Sequence, residues 1–282
     1  MSLVTTRFAP SPTGLLHLGH ACSALLSFDF ACRRGGCFIL RIEDIDAGRC
    51  RSEFTSALVE DLTWLGLTWR EPIRHQSECL GDYASALEIL AGQGVLYPCF
   101  CTRREIMEQV ATSGQAPHGP DGWIYPGTCR SLDASLRKDR MVSGAAYALR
   151  LDVAKALAVT GPLRWHDISQ GWVPVVLPGD VVLARKDIMT SYHLAVTVDD
   201  HIQGITHVIR GEDLFAATHV HRLLQALLGL ATPEYWHHPL LVDGQGRRLA
   251  KRDGAVSLRQ MRQGGMTPEM VRRLARCGWD NV

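Results

Sequence analysis

An α/β fold built around a parallel sheet is what three features of this 282-residue chain predict. An apolar run, a Gly/Pro-rich loop, an amphipathic stretch and a second apolar run succeed one another before residue 43. Two more amphipathic stretches follow, and the buried-strand pattern returns in "THVIRGED". Strand, helix, strand, helix is the grammar of parallel strands joined by right-handed crossovers.

Each element has its own warrant. Val4–Ala9 reads as a buried strand, and after "PSPTG" a helix runs from Gly19 to about Arg33, with Leu25, Leu26, Phe28 and Phe30 at helical spacing. Gly35-Gly36 stops it. "CFILRI", Cys37–Ile42, is a second buried strand, and Ser52–Leu65 and Leu80–Leu90 are amphipathic helices. Between about Cys99 and Arg150 the apolar periodicity lapses, and "SGQAPHGPDGWIYPG" reads as an insertion with little core of its own. Thr102 followed by Glu105 is a capping box, so a helix leaves that region at once. Short strands are expected at Ala146–Leu151, Val173–Leu177 and Val181–Ala184, then a helix at Thr218–Leu228 and two short helices at the end.

Composition narrows the class. The chain is 46% hydrophobic and 21% charged, as ordinary globular proteins are. No apolar run approaches the roughly 18 residues of a membrane span, and "MSLVTTRFAP" lacks the features of a secretory signal. A cytoplasmic protein is expected. Nine cysteines without a signal point to free thiols or metal ligation before disulfides. A net charge of +1 argues against attraction of nucleic acid by the whole surface. Residues 247–276, however, carry nine Lys/Arg against Asp253 and Glu269, a run suited to phosphates if it is more than a solvated face.

The chemistry concentrates in "RFAPSPTGLLHLGH". A tight loop between a parallel strand and a helix N-terminus aims backbone N–H groups and a positive dipole end at an anion. Gly14 and Gly19 allow close backbone approach, and His17 and His20 can both donate to phosphate oxygens. Neither a Gly-Lys-Ser/Thr phosphate loop nor G-x-G-x-x-G occurs here, and a capped turn is the plain alternative. Cys99, Cys101 and Cys129 fall within thirty-one residues poor in apolar side chains, which suits a structural Zn²⁺ acting as a substitute core. Chemistry alone offers His118 as the fourth ligand. Cys22, Cys32, Cys37, Cys50, Cys79 and Cys277 read as core or surface thiols. "HVH" (His219, His221) and "WHH" (His237, His238) lack His-Glu-x-x-His spacing, and no G-x-S-x-G elbow exists.

"PSPTGLLHLGH" resembles the HIGH signature of class I aminoacyl-tRNA synthetases in its glutamyl/glutaminyl form, and "FILRIEDIDAGR" and "ITHVIRGEDL" resemble later segments of that fold in the right order. "RRLAKRDGA" stands where KMSKS belongs, with Arg248 for the first lysine and Ala250 for the serine; Lys251 matches the phosphate-binding lysine. The resemblance implies a Rossmann-like catalytic domain with a small zinc-binding insertion and no anticodon-binding domain, since the chain stops about thirty residues past that loop. It divides as two halves of the nucleotide fold at 1–98 and 192–256, a zinc insertion at 99–150, a connecting subdomain at 151–191 and a helical tail at 257–282.

Matched residue by residue, Arg7, Ala9, Ser11, Glu43, Tyr192 and Arg210 would bind glutamate, with Glu43 receiving the ammonium. His17, Gly19, His20 and Lys251 would hold ATP, and Tyr125 rather than His118 would complete the metal set. An arginine fork at Arg7 suits the second carboxylate of glutamate and has no such partner in glutamine. Among the branch the chain is most similar to the truncated paralogues that place glutamate on the queuosine base of tRNA(Asp), and this implies ATP with Mg²⁺, L-glutamate and a tRNA(Asp) anticodon stem-loop as partners of a monomer. Two other readings stay open: a minimal enzyme charging a tRNA 3′ end, and an inactive binding module.

Overall fold

The computed structural model describes residues 3–112, 118–119, 122–185, 188–241 and 256–275. Strand β1 (Thr5–Phe8) leads through the Pro/Gly loop into helix α1 (Leu18–Arg33), which returns the chain to β2 (Cys37–Ile42). The two strands are parallel, Thr5 opposite Cys37 and Phe8 opposite Leu40. Gly36 makes the return possible, because a Cβ there would lie 2.3 Å from the Val4 carbonyl oxygen. Helix α2 (Ser52–Trp64) then leads to β3 (Arg74–His75), parallel to β2. Apart from β3, for which the sequence reading has no strand, these elements agree with that reading to within one residue at most ends.

After α3 (Leu80–Gly92) come β4 (Leu96–Cys99), α4 (Arg103–Thr112), the hairpin β5 (His118–Gly119) and β6 (Gly122–Trp123), and α5 (Ala134–Val142). The capping box is formed: Glu105 N donates to Thr102 Oγ1 and Thr102 N to Glu105 Oε2. Strand β7 (Ala148–Leu151) is followed by α6 (Val153–Thr160), β8 (Arg164–Asp167), β9 (Gly171–Pro174) and β10 (Val181–Arg185). An antiparallel sheet in the order β10-β7-β4 therefore runs across residue 150. The strand expected at Val173–Leu177 begins earlier and ends at Pro174. A tight turn after Asp167 sets its register against β8, and Val176, which the apolar run had suggested was paired, is 66% exposed.

The second parallel unit comprises α7 (Tyr192–Ile202), β11 (His207–Gly211), α8 (Phe215–Leu228) and β12 (Glu234–His238), in the sheet order β11-β12-β8-β9. Among the hydrogen bonds that join it to the first, Thr206 N donates to Thr5 O at 3.0 Å, and Thr5 N to Thr206 Oγ1 at 2.8 Å. One apolar core spans both, joining Leu25, Leu26 and Phe30 of α1 to Ile209 and Trp236. The final helices, α9 (Leu258–Gln263) and α10 (Pro268–Leu274), add Leu258 and Val271 to that core. Among the described residues no helix is long and apolar enough to cross a membrane.

Candidate active site

The carboxyl ends of β1, β2 and β11 and the N-termini of α1 and α7 surround a cavity of about 540 Å³. Open α/β sheets gather ligands at this end because the loops there diverge and leave a crevice. Arg7, Ala9, Ser11, His17, Gly19, His20, Glu43, Tyr192 and Arg210 all line it. Lys251 and the rest of "RRLAKRDGA" lie outside the described residues. The described residues on either side of that loop approach the site: Leu241 lines the cavity, and Ser257 forms a bridge with His17.

The histidines are fixed by helix capping. His17 is the N-cap of α1; its Nδ1 accepts from Gly19 N at 3.1 Å, while His20 Nδ1 accepts from His17 N at 3.2 Å. With both Nδ1 atoms accepting, the proton of each neutral ring sits on Nε2. The rings lie 3.8 Å apart, so two N–H donors share one mouth of the cavity. Gly19 contributes room: a Cβ there would lie 3.0 Å from the His17 ring.

Arg7 does not stand alone. Its Nε donates to Asp200 Oδ1 at 3.1 Å and its Nη2 to Oδ2 at 3.4 Å, a bidentate pair within the protein. Arg41 Nη2 reaches the same carboxylate at 2.6 Å. Burial pushes Asp200 toward neutrality, but the two guanidiniums outweigh it and hold its carboxyl below the usual range. One residue earlier, Asp199 accepts from Arg74 Nε at 2.8 Å, Gln76 Nε2 at 2.8 Å and Tyr83 OH at 2.9 Å. This buried charge network is absent from the sequence reading. The available signal was "VDD", two adjacent acids in an otherwise apolar helical stretch, where at least one must face inward.

Glu43 follows the last residue of β2, and its backbone N donates to Pro10 O at 3.0 Å, tying the opening loop to the strand. Its carboxyl is buried, with Oε1 lacking a hydrogen-bond partner and Arg41 Nη1 3.8 Å away. Burial raises it to about 7 against the opposing pull of Arg41 and Arg7. An acceptor so placed suits an incoming cation. Across the cavity Arg210 Nη1 donates to Tyr192 OH at 3.2 Å, and Nη2 to Thr218 Oγ1 at 2.6 Å and Leu214 O at 3.2 Å. Because Tyr192 accepts from the guanidinium, its own O–H is left to donate elsewhere.

A second centre lies at the end of β4. The Sγ atoms of Cys99, Cys101 and Cys129 fall within 4.8 Å of one another, the one such group among the described residues able to hold a metal ion. Cys101 and Cys129 sulfurs are 3.4 Å apart, and Tyr125 OH is 3.6 Å from Cys101 Sγ. Two thiolates about 2.3 Å from a tetrahedral Zn²⁺ would stand roughly 3.8 Å apart, so the donor set fits that ion. Arg150 lies over the Tyr125 ring at 3.9 Å, a cation–π contact, while burial and hydrogen bonds to the neighbouring thiols push the phenol's pKa up. The surrounding core is small: Tyr97, Cys99, Ile106, Val110, Tyr125 and Cys129. His118 has no described side chain, and Cys277 lies outside the described residues.

The other histidine pairs are built into the protein. His219 Nδ1 accepts from Trp165 Nε1, His221 packs against His193 and Arg210, and His238 bonds Ser23 and the Pro239 carbonyl. Burial keeps the His221 ring neutral, with its pKa well below the usual histidine value.

The family "tRNA synthetases class I (E and Q), catalytic domain" matches residues 3–282. The chain is 50% identical to "Glutamyl-Q tRNA(Asp) synthetase" of Rhodobacter capsulatus, covering 95% of this chain and 98% of that protein. It is 45% identical to the protein of that name from Deinococcus radiodurans, over 95% of this chain and 86% of the relative. Among solved structures, a glutamate tRNA ligase from Elizabethkingia meningosepticum "in complex with its amino acid" superposes with a TM-score of 0.82 at 30% identity. This chain spans 62% of that longer protein's length. Fold, cavity and family match agree: the chain belongs to the class I tRNA synthetases of the glutamate and glutamine branch, whose catalytic domain it carries.

Proposed function

We propose that the protein activates L-glutamate with ATP and transfers the glutamyl group to the queuosine base at the wobble position of tRNA(Asp). The observation that carries this reading is the convergence of Arg7, Glu43, Tyr192, Arg210 and the His17/His20 cap on one cavity, in a chain similar over nearly its whole length to proteins named for that reaction. In the first step an oxygen of the glutamate α-carboxylate attacks the α-phosphorus of ATP. The bond from that phosphorus to the bridging oxygen breaks, and pyrophosphate leaves; Mg²⁺ bound with ATP would neutralise part of the phosphate charge. Arg7 pairs the side-chain carboxylate of glutamate, Glu43 takes the ammonium, and Tyr192 and Arg210 close the site, with Ala9 and Ser11 lining it. The Nε2–H groups of His17 and His20, beside Gly19, and the ammonium of Lys251 stabilise charge moving onto the phosphates. A hydroxyl of the acceptor's cis-diol then attacks the glutamyl carbonyl and AMP departs.

A structural Zn²⁺ on Cys99, Cys101, Tyr125 and Cys129 would anchor the end of β4 and the segment that follows it. The protein works as a cytoplasmic monomer on the anticodon stem-loop, with the basic residues after Arg247 against RNA phosphates. The deciding experiment offers labelled glutamate with tRNA from normal and queuosine-deficient cells, and normal tRNA stripped of its 3′ terminus. Labelling is expected only with queuosine present and is expected to survive loss of the 3′ end. Labelling that ignores queuosine, or that disappears with the 3′ terminus, would instead make the chain a minimal glutamate–tRNA ligase.

Glu43 adds a pH signature. As an acceptor for the ammonium it must be ionised, so kcat/KM for glutamate should rise with pH through about 7, and Glu43→Gln should lose most activity and flatten the profile. Stability runs the opposite way. A carboxyl whose folded pKa is raised stabilises the fold fully below its unfolded value, and that contribution is lost as pH climbs through the folded one. Ionised Glu43 should therefore cost the unliganded protein on the order of 3 kcal/mol above pH 7. Relative to Glu43→Gln, the wild-type Tm should fall between about pH 4.5 and 7; parallel Tm curves would refute the assignment.

A further inference from the structure

Arg210 has a further partner at its Nε. Its Nε donates to His237 Nε2 at 3.2 Å, from a histidine on β12 that lies behind the cavity wall. His237 Nδ1 is 2.7 Å from Oδ2 of Asp167, at the end of β8, and both side chains are fully buried. Asp167 is itself held: its Oδ1 accepts from Ser169 N at 2.9 Å and Ser169 Oγ at 2.5 Å. Burial would push this carboxyl up, but His237 and Ser169 outweigh it and keep it ionised.

The tautomer follows from these partners. A carboxylate against Nδ1 places the ring proton there, so Nε2 presents a lone pair. That lone pair faces two groups: Arg210 Nε–H, and Thr218 Oγ1 at 3.0 Å. Burial lowers the His237 pKa to about 4, which preserves the acceptor at neutral pH. The opposite tautomer would set N–H against N–H. The chain of contacts thus runs Asp167, His237, Arg210, Tyr192 and ends at the cavity.

We infer that Asp167 and His237 are positioning residues that fix the plane of the Arg210 guanidinium, and with it the Tyr192 hydroxyl, for a carboxylate of the amino-acid substrate. The inference rests on the reading of the cavity as a glutamate site. Neither residue lines the cavity. Loss of the Nε2 acceptor leaves the fork held through its Nη atoms alone, by Tyr192, Thr218, His221 and the Leu214 carbonyl, and leaves a buried N–H unpaired.

The test is glutamate-dependent ATP–pyrophosphate exchange by the full chain, with KM measured separately for glutamate and ATP. His237→Leu keeps the bulk and removes the acceptor; it should raise KM for glutamate about tenfold or more while KM for ATP stays within about twofold. His237→Gln, whose Oε1 falls near the position of Nε2, should restore most of the loss. Asp167→Asn can turn its amide N–H₂ toward Nδ1 and invert the tautomer, so it should resemble His237→Leu without deleting volume. It serves if the leucine variant fails to fold. An equal rise in both KM values, no rise, or a glutamine variant no better than leucine would overturn the positioning role. If the wild-type protein fails to exchange with glutamate, the reading of the cavity falls instead, and the inference falls with it.

Discussion

Arg7→Ala should lose glutamate-dependent pyrophosphate exchange by roughly ten- to a hundredfold or more in kcat/KM, the worth of one charge-assisted pair to a carboxylate. Arg7 lines the cavity with its guanidinium clamped from behind by Asp200, so its direction is set before any ligand arrives. Preorganisation of this kind is what a flexible side chain lacks, and Arg7→Lys should recover little because an ammonium cannot make the paired contact. The alanine variant should also be less stable, since Asp200 loses one of its two guanidinium partners and keeps Arg41 at 2.6 Å. Kinetics and Tm separate the two effects: Asp200→Asn should share the stability loss while retaining more of the exchange. Wild-type exchange with glutamine as fast as with glutamate would remove the role given to Arg7.

The second large effect is expected at the cysteine cluster. Elemental analysis should find one zinc per chain, and Cys99→Ser or Cys129→Ser should lose it. Structural zinc supplies about 10 kcal/mol or more of apparent binding free energy in small metal-dependent units, and among the described residues the small core here has, besides the candidate ligands, only Tyr97, Ile106 and Val110 buried, with Phe100 and Leu132 partly so. Loss of the metal should therefore expose the segment after β4 to proteolysis while α1, β1 and β2 stay protected by their own core. Tyr125→Phe should loosen the ion rather than abolish folding, seen as faster transfer to a chelator, because a phenol oxygen would be a weaker partner than the thiolates; an effect from His118→Ala alone would exchange the assignment. Protein made in zinc-replete medium that carries no zinc would reduce the cluster to three buried thiols.

Much of the fold was legible because local patterns carry it. Cys37–Ile42 is apolar but for Arg41 and too short for a helix, and the glycines at 35 and 36 end α1 where its periodicity ends. Less was legible where an element is neither plainly apolar nor regularly periodic. The "EYWHH" of β12 looks polar, yet Tyr235, Trp236, His237 and His238 are all buried, because Trp236 joins the apolar core and the polar atoms of Tyr235, His237 and His238 find partners on α8, β8 and α1. Helix α7 went unread for the same reason: Asp199 and Asp200 break its apolar pattern until Arg7, Arg41 and Arg74 are brought beside them.

The candidate site divides along the same line. By itself the sequence determined the strand–loop–helix that carries His17 and His20, the strand ends that carry Arg7 and Arg210, and the spacing of Cys99, Cys101 and Cys129, since each is a matter of neighbours along the chain. Only the tertiary structure decided which way those side chains point and in what ionisation state: Asp200 behind Arg7, His237 behind Arg210, and the burial that lifts Glu43 to about 7. Those partners stand 193, 27 and 159 residues apart in the pairs Arg7–Asp200, Arg210–His237 and Arg41–Asp200. Local preference acts over a turn or two of chain. Desolvation and the pairing of charges depend on what folding packs together, and no stretch of sequence contains both members.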